Sequence, residues 1–452
     1  MVDPSLRQQL DAVDITSMAR YVEQGYPWAD WDLLRDHAPV YRYAGRPRFS
    51  PFWAVTRYDD VRFASSHPEL FSNRGVIRLD TDNGLGRLET YKRKRAERHG
   101  WDPATPMDLL YMDRPEHLDL RSLAVRRFTP RAMAALASHL DGLAQQFVET
   151  FIAGARAASP EPIDVVEQLS VGLPIATICG LLGVPTDDWH TIRRWSDQTL
   201  LTPDMHHPDV RPGETPADVR RRAGQEYHDY RQQLIDHARS PTLGDSSGNP
   251  FNETFDVVSL LAQATIHGRP LSDQTLHGYI ELLVGGGNET TRNTITGGVR
   301  ALLEHPDQAA LLAADPDGVV NTAVEEILRW VSPVIQFART ATVDVSLAGE
   351  RIAAGDTVVL FYPSANRDER QFPHPYRFDV RRDPNSHVTF GHGEHFCLGA
   401  NLARWELRAL FRHLAPHLAN LRAAGEPQRL PGLHVGAAAH QAVRWVGPDQ
   451  LA

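Results

Sequence analysis

Apolar residues recur at helical spacing along several long stretches of the chain. Residues 131–158 contain no proline, and their large apolar side chains follow the helical period: Leu136, Leu140, Leu143, Phe147 and Phe151. Residues 273–304 and 321–331 show a similar pattern, and Pro333 follows the second of them. A last helical pattern begins near Cys397 and continues through Leu410. These patterns predict a chain built mostly from helices.

Strand patterns are few and short. Residues 343–347 and 357–360 flank Gly349 and Gly355, which predicts small hairpins. Three polar stretches, residues 73–113, 202–216 and 239–252, are predicted as loops, and loops of such length are often functional lids or binding loops. The expected fold class is therefore mainly α with small β-sheets (α+β).

The composition is that of an ordinary globular protein. The chain has 452 residues, of which 42% are hydrophobic and 23% charged. Its net charge of −10 argues against a nucleic-acid-binding protein. The two cysteines, Cys179 and Cys397, do not form a metal or disulfide pattern. With no secretory signal and no apolar run of membrane length, we expect a soluble, cytoplasmic protein without a membrane anchor.

The segment with the most chemical information surrounds Cys397. It matches F-x-x-G-x-x-x-C-x-G from Phe390 to Gly399. Gly393 and Gly399 would let the backbone turn sharply and approach a flat ligand. A cysteine directly before a helix would be favoured as a thiolate, and a thiolate is a strong ligand of haem iron.

Other interpretations of the cysteines are possible. Cys179 lies in an apolar stretch and is expected to be a core residue. Zinc bound by His392, His395 and Cys397 is an alternative to haem. However, the spacing fits none of the usual zinc patterns, and no second cluster supplies the missing ligands.

The Phe390–Gly399 segment resembles the haem-binding loop of the cytochrome P450 family, the haem-thiolate monooxygenases. The resemblance extends from about Trp28 to Trp445. It implies a single P450 domain over residues 1–452, with residues 1–27 as an N-terminal lead-in. It also implies haem b between a long oxygen-activation helix and the loop, with Cys397 as the iron ligand.

The oxygen-activation helix corresponds to the segment that contains Gly286, Glu289 and Thr290. Three consecutive glycines disfavour a helix, so close approach of a bulky ligand or a kink is expected there. The Thr290 hydroxyl could bond the Gly286 carbonyl four residues earlier. Glu289 and Thr290 resemble the family's acid–alcohol pair, which implies proton delivery. Many members have Asp in place of Glu289; several with this Asn-Glu-Thr-Thr form act on sterols, terpenoids or branched lipids.

The resemblance also assigns residues around the haem. It implies propionate donors at His117, Arg121, Arg339 and His395, and further haem contacts at Gly286, Phe390, Gly393 and Gly399. It implies a buried network in which Glu326 and Arg329 meet an arginine downstream, expected to be Arg377.

The expected substrate is a hydrophobic small molecule, oxidised with O2 by hydroxylation or epoxidation: a terpenoid, steroid, lipid or polyketide-like compound. By analogy its pocket would include Val334, Ile335, Leu433 and Val435. Residues 92–95 form a basic run, expected to be solvated, although it could meet an acidic group.

The resemblance implies that electrons come from a separate ferredoxin and ferredoxin reductase. A peroxide-driven peroxygenase of the same fold is one alternative, and a non-enzymatic haem sensor or carrier is another. The Glu289–Thr290 pair disfavours both, since neither would need a proton relay.

Overall fold

Helices dominate the computed structural model, which describes residues 4–44, 48–199, 211, 213–240 and 256–447. None of the helices in these ranges combines the length and apolar character that a bilayer crossing requires. The helices are α1 Pro4–Ala12, α2 Met18–Gln24, α3 Trp28–His37, α4 Tyr58–Ser66, α5 Asp82–His99, α6 Glu116–Val125, α7 Pro130–Ala158, α8 Gly172–Leu181, α9 Trp189–Thr199, α10 Pro216–Arg239, α11 Val257–Ala262, α12 Asp273–Glu304, α13 Pro306–Ala314, α14 Pro316–Val331, α15 Tyr362–Ala365 and α16 Ala400–Leu414.

The strands are short and form small sheets. They are β1 Val40–Tyr43, β2 Phe52–Val55, β3 Phe71–Ser72, β4 Ile163–Asp164, β5 Thr265–Ile266, β6 Arg269–Pro270, β7 Gln336–Ala341, β8 Val345–Leu347, β9 Glu350–Ile352, β10 Thr357–Phe361, β11 Leu421–Ala423, β12 Gln428–Arg429, β13 Ala438–His440 and β14 Ala442–Trp445. The largest sheet has the order β1-β2-β10-β7-β3, and a second sheet has the order β11-β14-β4. The mainly helical class with small sheets is confirmed.

The two longest predicted helices are confirmed almost to the residue. The side chain of Ser272 caps α12 by accepting the Thr275 N–H, and the side chain of Thr129 caps α7 by accepting the Ala132 N–H. Helix α12 packs against α8 and α14, and α7 packs against α16. Val284, directly before the glycines, lies in the same buried cluster as Leu402, and Leu398 packs against that cluster, so the glycine segment and the cysteine segment belong to adjoining parts of the core.

The loop prediction for residues 73–113 is wrong in its middle, where α5 forms. The stretch has few apolar residues, so no helical period was visible. Its Leu, Glu, Lys and Arg residues nevertheless have good helix propensity. The Thr81 side chain caps the start, and Gly100, at φ 65°, ends the helix in the left-handed conformation.

Other loop and hairpin predictions have mixed outcomes. Strands β8 and β9 form the expected hairpin, whereas β10 joins the largest sheet between β2 and β7. Residues 202–210, 212 and 241–252 of the other two predicted loops lie outside the described residues.

The N-terminal segment is part of the packed structure. Leu10, Val13, Ile15 and Tyr21 are buried in one cluster with the sheet residues Phe52 and Ala338. The first helices therefore contribute to the wall behind β7, the strand that carries Arg339.

Helix α16 carries a buried carboxylic acid, Glu406, in surroundings that disfavour its ionised form. Glu406 is 2% exposed, and burial raises the pKa of its carboxyl well above the usual value. The folded protein therefore favours the neutral acid, whereas the unfolded chain ionises above about pH 4.3. Stability should fall as the pH rises from that value toward the pKa in the folded state.

We expect Glu406→Gln to raise the free energy of unfolding by at least about 1 kcal/mol at pH 8, with a smaller gain at pH 5. Urea denaturation at both pH values measures the difference. The exposed Glu149→Gln on α7 is the control, and it should change the free energy of unfolding by less than about 0.5 kcal/mol. A gain from Glu406→Gln that is equal at both pH values would contradict a buried, neutral Glu406.

Candidate functional site

The segment around Cys397 forms a tight loop before α16. The Cys397 N–H donates to the Phe390 carbonyl at 2.9 Å, which closes the loop. Gly393 has φ 72°, and a Cβ at this position would lie 2.2 Å from the Ser65 carbonyl oxygen. Position 393 therefore requires glycine for both its conformation and its contact with the end of α4.

Opposing influences act on the Cys397 thiol. Burial in the protein raises its pKa, while the Gly399 N–H and the charges of Arg121 and Arg404 act to lower it. Burial is the largest influence and opposes the effect expected from the start of the helix. Because a coordinated metal deprotonates a thiol outright, iron bound at Cys397 would favour the thiolate.

Two of the predicted propionate donors lie side by side. The rings of His117 and His395 are 4.0 Å apart between centroids. Among the described residues, His117 Nδ1 and His395 Nε2 are buried without a hydrogen-bond partner. Burial and the neighbouring charges lower the pKa of His395 to about 2. An anion beside these rings would offset that effect and satisfy the buried nitrogens.

The two predicted arginine donors flank the same region. Arg121 Nη2 donates to the Phe396 carbonyl at 2.6 Å, in the residue before the cysteine. Arg339 on β7 is only 4% exposed, and burial lowers the pKa of its guanidinium. Burying a guanidinium is unfavourable without a compensating anion, which a haem propionate would supply.

The residues present fit a haem. Cys397 and Phe396 keep accessible surface although the thiol lies deep in the protein, so they border an interior space. Gly285 and Gly286 are exposed in the middle of α12, and a Cβ at either would meet nothing within 4 Å. The Cys397 thiol could hold the iron of a haem, the open helix surface could face the ring, and the buried nitrogens without partners could meet its carboxylates.

The zinc alternative receives no support from the geometry. In the described ranges, the group close enough to hold one ion is His117, Glu394 and His395, with ligand atoms within 4.8 Å of one another. It excludes His392 and Cys397, on which the alternative rested. Glu394 is also paired with Arg114, which links the start of α6 to the cysteine loop.

Helix α12 presents the predicted hydroxyl at its glycine segment. Thr290 Oγ1 donates to the Gly286 carbonyl at 2.7 Å, as expected, and the helix remains continuous through this point. The helix is therefore not broken at the glycines, and Gly285 and Gly286 leave its surface open at this point. Glu289 Oε1 lies 3.9 Å from Arg292 Nη2.

The Glu326–Arg329 pair is fully buried, with both side chains 0% exposed. Arg329 donates to both carboxylate oxygens of Glu326 at 2.7 Å. The predicted third member needs correction. The side-chain cation at Glu326 is Arg382, at 3.1 Å, whereas Arg377 takes part through its carbonyl oxygen. The meander turns so that the later arginine reaches the carboxylate.

The predicted substrate residues separate into two groups. Ile335 and Leu433 are 0% and 5% exposed and pack in the core cluster with the N-terminal helices, so their assignment to a pocket is wrong. Val334 and Val435 form an isolated antiparallel bridge and remain partly exposed. Alternation along the strand turns Ile335 to the opposite side from Val334.

A second ion-pair network was missed in the sequence. Glu325 on α14 accepts two hydrogen bonds of 2.8 Å from Arg404 on α16, and His387 Nε2 lies 3.1 Å away. Burial acts to raise the pKa of Glu325, but His387 and Arg404 lower it to about 2. In the sequence, Glu325 stands directly before Glu326. Adjacent positions on a helix point in different directions, so the motif around Glu326 does not reveal the partners of Glu325. This network braces the helix that follows Cys397.

Comparisons with known proteins agree with this geometry. The family model described as Cytochrome P450 matches residues 89–418. A methyl-branched lipid omega-hydroxylase of Mycobacterium tuberculosis is 38% identical over 380 residues, 84% of this chain and 80% of that protein. A steroid C26-monooxygenase of the same organism is 35% identical over 445 residues, 96% of this chain and 93% of that protein.

Solved structures give the same result. A Mycobacterium marinum cytochrome P450 in complex with pseudoionone is 32% identical, with a TM-score of 0.79 over 96% of this chain and 98% of its own. A testosterone complex from Bacillus megaterium is 27% identical, with a TM-score of 0.73 over 95% of this chain and 100% of its own. With sequence, fold and a haem-compatible cysteine loop in agreement, the chain belongs to the cytochrome P450 family.

Proposed function

We propose that this monooxygenase inserts one oxygen atom from O2 into a C–H bond of a lipid or a steroid. The observation that carries the proposal is a cysteine loop in which Cys397 keeps accessible surface and the neighbouring His117 and His395 rings have buried nitrogens without partners among the described residues. The two relatives, an omega-hydroxylase of methyl-branched lipids and a C26-monooxygenase of steroids, support an apolar substrate. Val334 and Val435 remain candidates for contact with it.

The proposed cofactor is haem b, which, when bound, supplies the activation of O2. Cys397 would hold the iron, and the open face of α12 at Gly286 would lie against the macrocycle. The propionates would meet the four donors, which are His117, Arg121, Arg339 and His395. The loop residues Phe390, Gly393 and Gly399 would shape the cysteine side of the site.

Thr290 and Glu289 are proposed to deliver protons. The Thr290 hydroxyl gives its hydrogen to the Gly286 carbonyl, so the lone pairs of Oγ1 can accept a hydrogen bond from water. Glu289 follows Gly286 by three residues on α12 and can exchange protons with such a water. The pair would thus move protons from solvent toward the open glycine surface.

Electrons are proposed to come from a ferredoxin and its reductase, in the cytoplasm. Of the basic residues on the cysteine side, Arg404 and Arg408 already face Glu325, at 2.8 and 3.6 Å. Arg126 is exposed at the end of α6 and is available to an acidic partner.

The test is turnover of the haem-loaded enzyme with a ferredoxin, a reductase and NAD(P)H, using a steroid and a methyl-branched fatty acid. We expect O2-dependent hydroxylated product from at least one of them. Product formed only with hydrogen peroxide would indicate a peroxygenase instead. If both substrates bind but no oxidant system gives product, a non-enzymatic haem protein is indicated.

Thr290→Val should uncouple the reaction. Product formed per NAD(P)H should fall at least about 10-fold, because a positioned proton donor contributes about 10²–10⁴ in rate. Thr294→Val is the matched control. Thr294 makes the same kind of bond, to the Thr290 carbonyl at 2.8 Å, one turn beyond the glycines. Equal uncoupling in both variants would assign the effect to the helix rather than to the Thr290 hydroxyl.

A further inference from the structure

A cleft of about 570 Å³ opens beside α5, the helix that was not visible in the sequence pattern. Its wall combines apolar and aromatic side chains with charged ones of both signs. The residues that matter here are Lys92, Arg95, Trp101, Met107, Tyr111 and Met112. A cleft with an apolar body and a few convergent charges is the usual form of a small-molecule site.

The cleft adjoins the proposed haem site. Met112 lies on its wall, and its backbone is hydrogen-bonded to His395. Glu116, also on the wall, precedes His117 in α6. A molecule in this cleft would therefore lie near the propionate edge of a bound haem.

Lys92 and Arg95 are one helical turn apart, so their side chains share a face of α5. Lys92 is 20% exposed, and its Nζ lies 4.3 Å from the centre of the Tyr111 ring and 2.9 Å from Glu89 Oε1. Glu89 itself is 70% exposed, and such exposed pairs contribute little. The Lys92 ammonium can therefore exchange this partner for a ligand at small cost.

Arg95 is the more buried of the two cations. Its side chain is 11% exposed, its Nη1 pairs with Glu281 at 2.9 Å, and its guanidinium lies 5.1 Å from the centre of the Trp101 ring. Its Nη2 is buried and has no hydrogen-bond partner among the described residues. Glu281 is shared with Arg231, at 2.8 Å, so one carboxylate serves two guanidinium groups. A buried N–H group without an acceptor in the protein is expected to donate a hydrogen bond to a ligand or to water.

The remaining acids on the cleft wall are engaged elsewhere. Glu116 pairs with Arg74 at 3.0 Å. Asp102 accepts the Ala104 N–H at 2.9 Å within its own loop. They therefore do not supply the acceptor that Arg95 Nη2 lacks.

We propose that Lys92 and Arg95 bind the carboxylate of an amphiphilic substrate, whose apolar chain lies along Trp101, Met107 and Met112. The substrate class is thus a long-chain carboxylic acid, and Lys92 and Arg95 determine specificity for it. The proposal rests on the lipid monooxygenase function proposed above, because oxidation would occur on the chain that this anchor positions.

The test uses binding, measured by isothermal titration calorimetry on the haem-loaded enzyme with dodecanoate, its methyl ester and dodecan-1-ol. We expect dodecanoate to bind about 10–100-fold more tightly than the ester or the alcohol, as a charge-assisted hydrogen bond predicts. High salt should reduce this preference. Equal affinity for acid and ester would overturn the proposal.

Single substitutions in the basic run test whether the preference for the acid comes from Lys92 and Arg95, the two residues of the run that line the cleft. Lys92→Gln and Arg95→Gln should each reduce the preference for the acid at least about 5-fold. Lys94→Gln, on the exposed side of the same helix, should preserve it. Arg231 still pairs with Glu281 when Arg95 is replaced, so the variant should fold, and its thermal unfolding checks this. An equal loss in Lys94→Gln would show general attraction rather than a site and would overturn the proposal.

Binding and turnover separate this inference from the proposed function. Selective binding of dodecanoate without hydroxylation of any lipid would support the carboxylate site and contradict the monooxygenase assignment to lipids. Equal binding and equal hydroxylation of acid and ester would support the lipid monooxygenase and contradict the carboxylate site.

Discussion

Cys397→Ala is expected to abolish the thiolate-haem spectrum and to lower product formation by more than about 100-fold. Loss of a hydrogen bond behind a metal ligand already costs 10–100-fold, and loss of the ligand itself should cost more. A thiolate at Cys397 would supply the bound haem with the electron density that favours O–O cleavage, and alanine has no group that could do so. The measurement is the absorption spectrum of the reduced, CO-bound protein, in which the strongly red-shifted Soret band should vanish, together with turnover.

Cys179→Ala is the matched control. Cys179 is fully buried in the core of α8, where burial raises the pKa of its thiol, so it remains a neutral packing residue. This variant should lose some stability but keep the red-shifted band. If the band survived in Cys397→Ala instead, the assignment of the iron ligand would be wrong, and the proposed chemistry would have no basis.

Glu326→Ala is expected to lower the free energy of unfolding by about 3–5 kcal/mol, since it leaves a buried arginine without its carboxylate. Both members are 0% exposed, and Glu326 also accepts hydrogen bonds from the Asp379 N–H, Arg382 and Asn385. Urea denaturation measures the loss. Haem content after purification should fall as well, because these bonds hold the meander before the cysteine loop.

An exposed helical pair provides the control for this effect. Arg93 and Glu97 on α5 are 65% and 67% exposed and 3.8 Å apart. Glu97→Ala should therefore change stability by less than about 1 kcal/mol. If both variants lost comparable free energy of unfolding, burial would not be what determines the contribution of the Glu326 network to stability.

The regular helices could be predicted because their cause is local. In α7 and α12 the apolar residues repeat at helical spacing, and the caps Thr129 and Ser272 lie directly before the first turn. Helix α5 shows the limit of this approach. Its residues favour a helix one by one, but it has no continuous apolar stripe, so periodicity could not reveal it.

The candidate site was predicted where a short motif contains the chemistry. The Phe390–Gly399 segment and the Gly286–Thr290 turn are each contiguous, and the Thr290 to Gly286 bond follows from helix geometry alone. Which arginine reaches Glu326 could not be predicted in this way. Arg377 and Arg382 both lie in irregular backbone, where the direction of a side chain depends on the path of the whole meander.

The sequence by itself determined the helical class, and it supplied the motifs from which the thiol ligand and the proton-relay pair are proposed, because each of these depends on residues that are neighbours along one segment. Only the tertiary structure decided that Ile335 and Leu433 lie in the core, that Glu325 braces α16, and that Lys92 and Arg95 line a cleft. These outcomes depend on which surfaces of distant segments meet. Packing of whole elements fixes such contacts, and no local period or spacing encodes them.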